Sequence, residues 1–391
     1  MWSKVSKSRM KGYLNYNSYH KNYIFMLQRF IMKILYIANN NYSNNDGITK
    51  KILNQISIWR KYGHEVIVLN LSGKSLINDK KFGIFTFRKY NYIVSRLISP
   101  RTVINYINYF CPDIIYVRYD SWYRLLQYIS HKYKVVLEIN TNQIGEYAFL
   151  FKNKMSIKSF LRKIFVKIGY ILLSNRVAGI IAVSPDAILD NIFSRIPCKK
   201  YIVPNSINIA EYPILKKPKN ESKINFFFIG SEDQEWHGLD IIENLAAYFT
   251  DYEFHIVGSF SKSKNRNIYY YGKLEESSYN SIMESCDICI GTLALFRKGM
   301  KFACPLKVRE YLAKGFPVII GYEEMIDLSV APFILKIDPL NINYIAIDKF
   351  CKIYKDYIVS HNEILELIGS EKYERQRISI FKQIIGGREF N

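Results

Sequence analysis

KILYIANNNYSNNDGITKKILNQISIWRKYGHEVIVL, residues 33–69, decides the fold. Lys33–Ala38 is a short apolar run of the kind that forms a strand buried on both faces, and Asn39–Gly47 is a polar, turn-rich loop. Ile48, Ile52, Ile56 and Trp59 then recur at helical spacing, the helix stops near Gly63, and Glu65–Leu69 supplies a second strand. A strand, loop, helix and strand in that order require a parallel pairing, because a tight turn cannot return the chain to the same end of the sheet.

Working outward, the same kind of run returns at Asp113–Val117, Val135–Ile139, Gly179–Val183 and Tyr201–Val203, just before Pro204. The first half therefore reads as a doubly wound parallel sheet. The pattern restarts at Ile224–Ile229, followed by Gly230, a helix over Leu239–Phe249 and a strand over Glu253–Val257. Ile268–Tyr271, Ile288–Ile290 and Val318–Ile320 continue it, with helices around Tyr279–Glu284 and Leu306–Ala313. A second Rossmann-like sheet is the economical reading. Pro204–Pro218, with three prolines and little periodicity, is the expected linker. The expected organisation is a flexible leader over 1–31, or upstream sequence not translated in the cell, then an N-terminal domain over 32–205. A C-terminal domain over 206–391 carries the terminal helices.

At 391 residues the chain can bury two cores, and 49% apolar against 23% charged residues places it among globular rather than disordered sequences. Six scattered cysteines argue against a disulfide framework and for a reducing, cytoplasmic setting. Cys286 and Cys289 form a lone C-x-x-C with no second pair, so they read as buried thiols. The histidines show no metal-ligand spacing, His64 reads as a packing residue at a strand entrance, and no metal or cofactor is expected. The net charge of +21 favours polyanions, anionic lipid surfaces or phosphorylated ligands. No acidic residue precedes Asp46, and none lies between Glu146 and Asp186. Within that second stretch, Phe149–Leu173 sets Ile157, Phe160, Leu161, Ile164, Phe165, Ile168 and Leu172 at helical spacing among Lys152, Lys154, Lys158, Arg162, Lys163 and Lys167. Such a helix either lies on an anionic membrane, here the inner face of the plasma membrane, or packs on the sheet. No apolar run approaches the roughly 20 residues that span a bilayer.

Ligands of open α/β sheets bind beyond the carboxyl ends of the strands, so the gap between two such sheets is the expected site. Gly47, at a loop-to-helix junction, lets backbone N–H groups approach an anion or a sugar. Neither G-x-G-x-x-G nor G-x-x-x-x-G-K-[ST] is present, which removes support for nicotinamide chemistry and for a P-loop. CPLKVREYLAKGFP, residues 304–317, is the most informative stretch: Pro305 starts a helix, and Gly315 and Pro317 end it. Lys307 and Glu310 share one face, with Val308 and Leu312 on the core side. A cation in the first turn opposes the helix dipole, so Lys307 marks either an anion-binding end or a solvated Lys–Glu pair.

DGITKKILNQI, GHEVIVLN, PDIIYVR, AVSPD, VPNSIN, WHGLD and PLKVREYLAKGFPVI occur in order from residue 46 to 319. In these segments the chain from Met32 onward resembles the family 4 glycosyltransferases. The resemblance implies the GT-B fold, α/β with two Rossmann-like domains facing each other across a cleft. It also implies retaining transfer from a nucleotide sugar, expected to be UDP-linked, to a saccharide or lipid-linked acceptor in cell-surface polysaccharide biosynthesis. The donor would sit on the C-terminal domain and the acceptor on the N-terminal one.

By the same resemblance Glu310 matches the second glutamate of the E-x7-E signature, which holds the donor ribose, whereas the first falls at Phe302. An Arg and a Lys common after the linker read Ser231 and His237, near Gly230. Diphosphate neutralisation is therefore expected from Lys307, Arg309 or the basic loop Arg297, Lys298 and Lys301. Gly272, Lys273 and Leu274 match the turn that meets the nucleotide base. Glu138, Asn140 and Glu146 follow a strand in the acceptor half and are expected to line the cleft, and Asn140 joins Lys307 and Glu310 as the expected catalytic set. Two other readings stand beside this one: a nucleotide-sugar epimerase on the same architecture, and a nucleic-acid-binding protein, for which no recognisable motif exists.

Overall fold

The computed structural model describes residues 31–42, 46–71, 83–86, 97–142, 145–146, 164, 167–173, 175–188, 193–216, 223–230, 234–258 and 265–386. The leader expected over 1–31, except its final residue, lies outside the described residues, as does most of Phe149–Leu173.

The first sheet comprises β1 (Lys33–Ile37), β2 (Glu65–Asn70), β3 (Ile84–Thr86), β4 (Ile114–Arg118), β5 (Val135–Ile139), β6 (Gly179–Ala182) and β7 (Lys199–Ile202), in spatial order β3-β2-β1-β4-β5-β6-β7. Every pairing in it is parallel, with Leu35 opposite Ile67 on one side and Ile115 on the other. One face is covered by α1 (Gly47–Lys61), which presents Ile52, Ile56 and Trp59 to Ile34, Tyr36 and Val68. The other packs α2 (Arg101–Phe110) and α3 (Arg124–Lys132) through Val103, Ile107, Leu125 and Ile129. These two helices and the short β3 were not anticipated from sequence, because the tyrosines and polar residues around them blur the 3.6-residue period.

The second sheet comprises β8 (Asn225–Ile229), β9 (Glu253–Val257), β10 (Ile268–Tyr270), β11 (Ile288–Ile290), β13 (Val318–Ile320) and β15 (Ile334–Lys336), ordered β10-β9-β8-β11-β13-β15 and again parallel. A two-stranded parallel pair, β12 (Phe302–Ala303) with β14 (Glu323–Glu324), stands beside it. Helices α4 (Leu239–Tyr248) and α7 (Tyr344–Tyr354) cover one face, and α5 (Glu276–Glu284), α6 (Leu306–Ala313) and α8 (His361–Ile368) the other. Both halves are thus Rossmann-like, as the sequence pattern predicts. Cys286 and Cys289 are buried free thiols, and His64 Nδ1 accepts from Met32 N at 3.2 Å, so neither motif bears on chemistry.

The final helix, α9 (Ser370–Gly386), departs from the sequence reading that grouped all terminal helices with the second half. Tyr373, Ile378, Ile380 and Phe381 enter the core of the first sheet, where Phe381 meets Trp59 and Tyr116 ring to ring at 5.5 and 5.2 Å. Trp59 Nε1 donates to Glu374 at 2.8 Å. The chain thus crosses between the sheets twice, and the two crossings are bonded to each other: Ile207 N donates to Ile368 O at 3.1 Å and Ser370 N to Ile207 O at 2.9 Å. A helix period says which face is apolar but not which of two sheets it will cover.

Candidate functional site

At the carboxyl edge of the second sheet, strands β8, β9, β11 and β13 run directly into Gly230, Gly258, Gly291 and Gly321, and β10 reaches Gly272 one residue later. Gly258 shows why side chains are excluded. Its φ is +93°, and a Cβ there would lie 1.9 Å from the carbonyl oxygen of Gly230. Gly258 N also donates to Gly272 O at 2.6 Å, so three strand ends are laced together by backbone, leaving a low wall that a flat ligand can approach. The His237 ring stands against this wall, with Nδ1 2.6 Å from where a Cβ of Gly230 would be and the ring edge-on to Phe228. Leu274 is half-buried on the core and Lys273 is exposed. Ser231 lies outside the described residues.

Helix α6 begins after Pro305, whose fixed backbone suits the position. Lys307 in its first turn is half-buried. Its ammonium donates to the carbonyl of Ile229, at the end of β8, at 2.9 Å and lies 4.4 Å from the centre of the Phe228 ring. Desolvation lowers its pKa to about 7. Among the described residues no carboxylate pairs with it, which removes the Lys307–Glu310 pair as a reading. Glu310 turns instead to Lys314 and accepts from Tyr279 Oη at 2.8 Å, so its carboxylate is fixed in place while remaining partly exposed.

Arg309 belongs elsewhere. It is fully buried and forks onto Glu324 of β14 at 2.7 and 2.6 Å, which leaves it a strut of the fold rather than a ligand for phosphate. The basic loop is also engaged. Arg297 clamps Asp240 at 2.9 and 2.6 Å, and Lys298 pairs with Glu146 at 2.8 Å over the Trp236 ring. Lys301 is exposed, 4.0 Å from Glu323.

From the first half, α1 brings its N-terminus to the same gap. Asp46 caps it by accepting from Thr49 N at 2.8 Å, and a methyl placed on Gly47 would sit 3.6 Å from Leu306 of α6, so the two helix starts face each other. The adjacent lysines then diverge. Lys50 crosses to Glu276 of α5 at 2.6 Å, while Lys51 turns inward. Its ammonium spends all three donors on Glu138 at 2.6 Å, Asn140 at 2.9 Å and Asn205 at 2.7 Å.

Glu138 therefore does not line the cleft as expected. It is wholly buried, accepting also from Tyr36 Oη at 2.9 Å and facing Arg118 at 3.6 Å. Burial opposes its charge, but Lys51 and Arg118 outweigh burial and hold its carboxyl down at about 2. Asn140, two residues on, is partly exposed. Its Oδ1 is taken by Lys51, and its Nδ2 has no acceptor. Glu146 reaches the second half through Lys298. Asp186 of AVSPD accepts from the backbone of Lys301 at 2.6 Å and Phe302 at 2.5 Å, which accounts for Phe302: its N–H, not a side-chain carboxylate, makes the contact between the halves.

The structure thus brings Gly47 opposite the start of α6, with Lys307 reaching back to the Gly230, His237 and Gly272 wall and Glu310 one turn on, while Asn140 is tied to Lys51 and Arg309 and Glu138 are set into the fold. Lys51, Arg118, Asn205, Tyr279 and Lys314 were not singled out from sequence. Adjacent lysines close to the start of a helix, against the dipole, are the available signal for Lys51. Among the described residues, no three His, Cys, Asp or Glu side chains converge as a metal cage would require, and no helix is long and apolar enough to cross a membrane.

No protein-family model matches the sequence, and no curated protein sequence matches it. Solved structures match over most of its length. Sucrose-phosphate synthase from Thermosynechococcus elongatus superposes with a TM-score of 0.64 at 14% identity, covering 91% of this chain and 100% of that one. A lipopolysaccharide outer core galactosyltransferase gives 0.53 at 14% identity over 91% and 99% of the two chains. An α-glucosyltransferase in complex with UDP and a 13-mer DNA gives 0.52 at 12% identity over 90% and 95%. The fold is therefore GT-B, two Rossmann-like domains facing each other across a cleft.

Proposed function

We propose that this protein transfers a glycosyl group from a nucleotide sugar, UDP-linked, to a saccharide or lipid-linked acceptor in cell-surface polysaccharide biosynthesis, with retention of configuration. The observation that carries the proposal is Lys307: a desolvated ammonium at a helix start that faces Gly47 through Leu306, with a carbonyl but, among the described residues, no carboxylate as partner. Such a cation is poised for a diphosphate, and the adjacent N–H groups of α6 add to the attraction. Glu310, held by Tyr279 and Lys314, accepts from the ribose hydroxyls, and the glycine wall from Gly230 to Gly272 receives the base and diphosphate.

In the transfer the bond from the anomeric carbon to the diphosphate oxygen breaks while a bond to the acceptor oxygen forms on the same face. The acceptor's hydroxyl proton passes to the departing phosphate oxygen. Lys307 stabilises the charge that develops there, and Asn140 Nδ2 donates to the sugar or the acceptor from the opposite wall. The proposal calls on no metal.

A place for the reaction at an anionic membrane surface is part of the same reading. Ile164, Ile168 and Ile171 are 38%, 50% and 71% exposed, on the opposite side from Tyr170 and Leu173, which are buried. Uridine nucleotides and a panel of nucleotide sugars, screened by thermal shift and then by nucleotide release with lipid extracts, test the function. If no nucleotide or nucleotide sugar raises the melting temperature, the proposal fails.

A further inference from the structure

Among the shielded polar groups of the first half that lack a hydrogen-bond partner, two donors stand at the ends of neighbouring strands. Arg118 ends β4 and Glu138 lies beside it in register on β5, with Asn140 two residues further toward the cleft. Among the described residues Arg118 has an ion-pair contact but no hydrogen bond: its Nη1 is shielded from solvent and unsatisfied, and Glu138 Oε2 stands 3.6 Å away, beyond hydrogen-bond reach. Glu138 already accepts from Lys51 and Tyr36. Asn140 Nδ2 is likewise shielded and unsatisfied, since Lys51 has captured the amide by its oxygen and left the NH2 without an acceptor.

Charge counting gives the same result. Around Glu138 two cations, Lys51 and Arg118, share one carboxylate, while the nearby Arg377 is matched by Glu374. Among the described residues this leaves one positive charge in excess. Unpaired charges and unsatisfied donors away from water are costly, and a fold keeps them where a ligand completes them.

We infer that the acceptor half binds an oxyanion, a phosphate or carboxylate carried by the acceptor molecule, between the Arg118 guanidinium and the Asn140 amide. This deepens the proposed function, on which it rests for the word acceptor, by giving that molecule a negative charge. Arg118 supplies the charge-assisted donor and Asn140 the neutral one, while Lys51 acts as a positioning residue that sets the rotamer of Asn140.

The test uses the full chain with its donor side filled by saturating UDP, so that phosphate cannot bind at Lys307. Inorganic phosphate, glycerol 3-phosphate and neutral glucose are titrated by calorimetry. Both phosphates are expected to bind and glucose not to. Arg118→Gln is expected to weaken phosphate binding at least tenfold while UDP affinity, which reports an intact fold, stays unchanged, and Arg118→Lys to keep part of it. Pelleting with phosphatidylglycerol vesicles separates two sources of the same chemistry. Loss of pelleting in Arg118→Gln assigns the site to a lipid headgroup, loss confined to the soluble phosphates assigns it to a soluble acceptor, and either supports the site. Phosphate binding equal in wild type and Arg118→Gln overturns it. Failure of UDP itself to bind counts against the proposed function, and phosphate titrated without UDP then still reads the Arg118 site through the same variants.

Discussion

Lys51 and Asn205 are 154 residues apart in the chain and 2.7 Å apart in space, joining the first helix of one sheet to the crossover that leads to the other. Asn205 passes the connection on, donating from Nδ2 to Cys304 O at 2.7 Å, immediately ahead of α6. The two halves of the proposed site are therefore referred to one buried ammonium.

Replacing Lys51 by Met should destabilise the protein by about 3–5 kcal/mol, because Glu138 would be left as a buried carboxylate with the neutral Tyr36 hydroxyl and only a distant Arg118. Urea unfolding measures this. The double variant Lys51→Met with Glu138→Gln should recover a substantial part of the loss, and no recovery would show that the coupling between the two is not the cause. Glu138 also carries an acid signature. Its folded pKa, about 2, lies below its ordinary 4.5, so its contribution is complete above pH 4.5 and disappears as pH falls toward 2.

Lys307 titrates in the opposite sense to an ordinary surface lysine. Its folded pKa of about 7 is below the ordinary 10.5, so between those values the folded state holds fewer protons and this residue makes stability rise with pH. Diphosphate binding needs the protonated form. UDP affinity should therefore fall above pH 7, by up to about tenfold per pH unit, and Lys307→Met should bind more weakly and without that slope. A flat profile in the wild type excludes Lys307 as the diphosphate cation.

Glu310→Gln keeps the shape of the side chain and a carbonyl oxygen for Tyr279. It should reduce UDP affinity by about 10- to 100-fold, the worth of a hydrogen bond to a charged group, while the melting temperature changes little, since Lys314 retains Asn280 at 2.8 Å. Uridine compared with UDP on this variant locates the loss: an equal loss for both places Glu310 on the ribose.

Two glycines should respond differently to alanine. Gly47→Ala meets only ordinary contacts with Leu306, so the fold should tolerate it while the narrowed gap impairs transfer. Gly258→Ala drives a methyl into the backbone of Gly230 at a left-handed φ, and should cost more than about 2 kcal/mol. Thermal denaturation of the pair separates a glycine kept for a ligand from one kept for the fold.

Much of the fold was legible because strands buried on both faces read as plain apolar runs such as KILYI and NFFFI, and because Pro305 and Gly315 punctuate α6. The site was legible only in part. Lys307 and Glu310 announced themselves by position on a bounded helix, but their partners, Ile229 O for one and Tyr279 with Lys314 for the other, come from other elements or the far end of the helix. Arg309 misled for the same reason: a sequence shows a cation, and only the fold shows that Glu324 had already claimed it. Glu138 looked like a cleft carboxylate because its strand is followed by polar residues, yet alternation along that strand was no guide where both faces are buried.

The return of α9 has a consequence for how the molecule is made. Trp59 and Glu374 are bonded across a separation of 315 positions, and Phe381 lies against Tyr116, so the hydrophobic interior that the earliest strands share with α1 is not completed until residues near 380 have been synthesised. During translation the nascent first half must wait, incomplete, for the ribosome to finish the second.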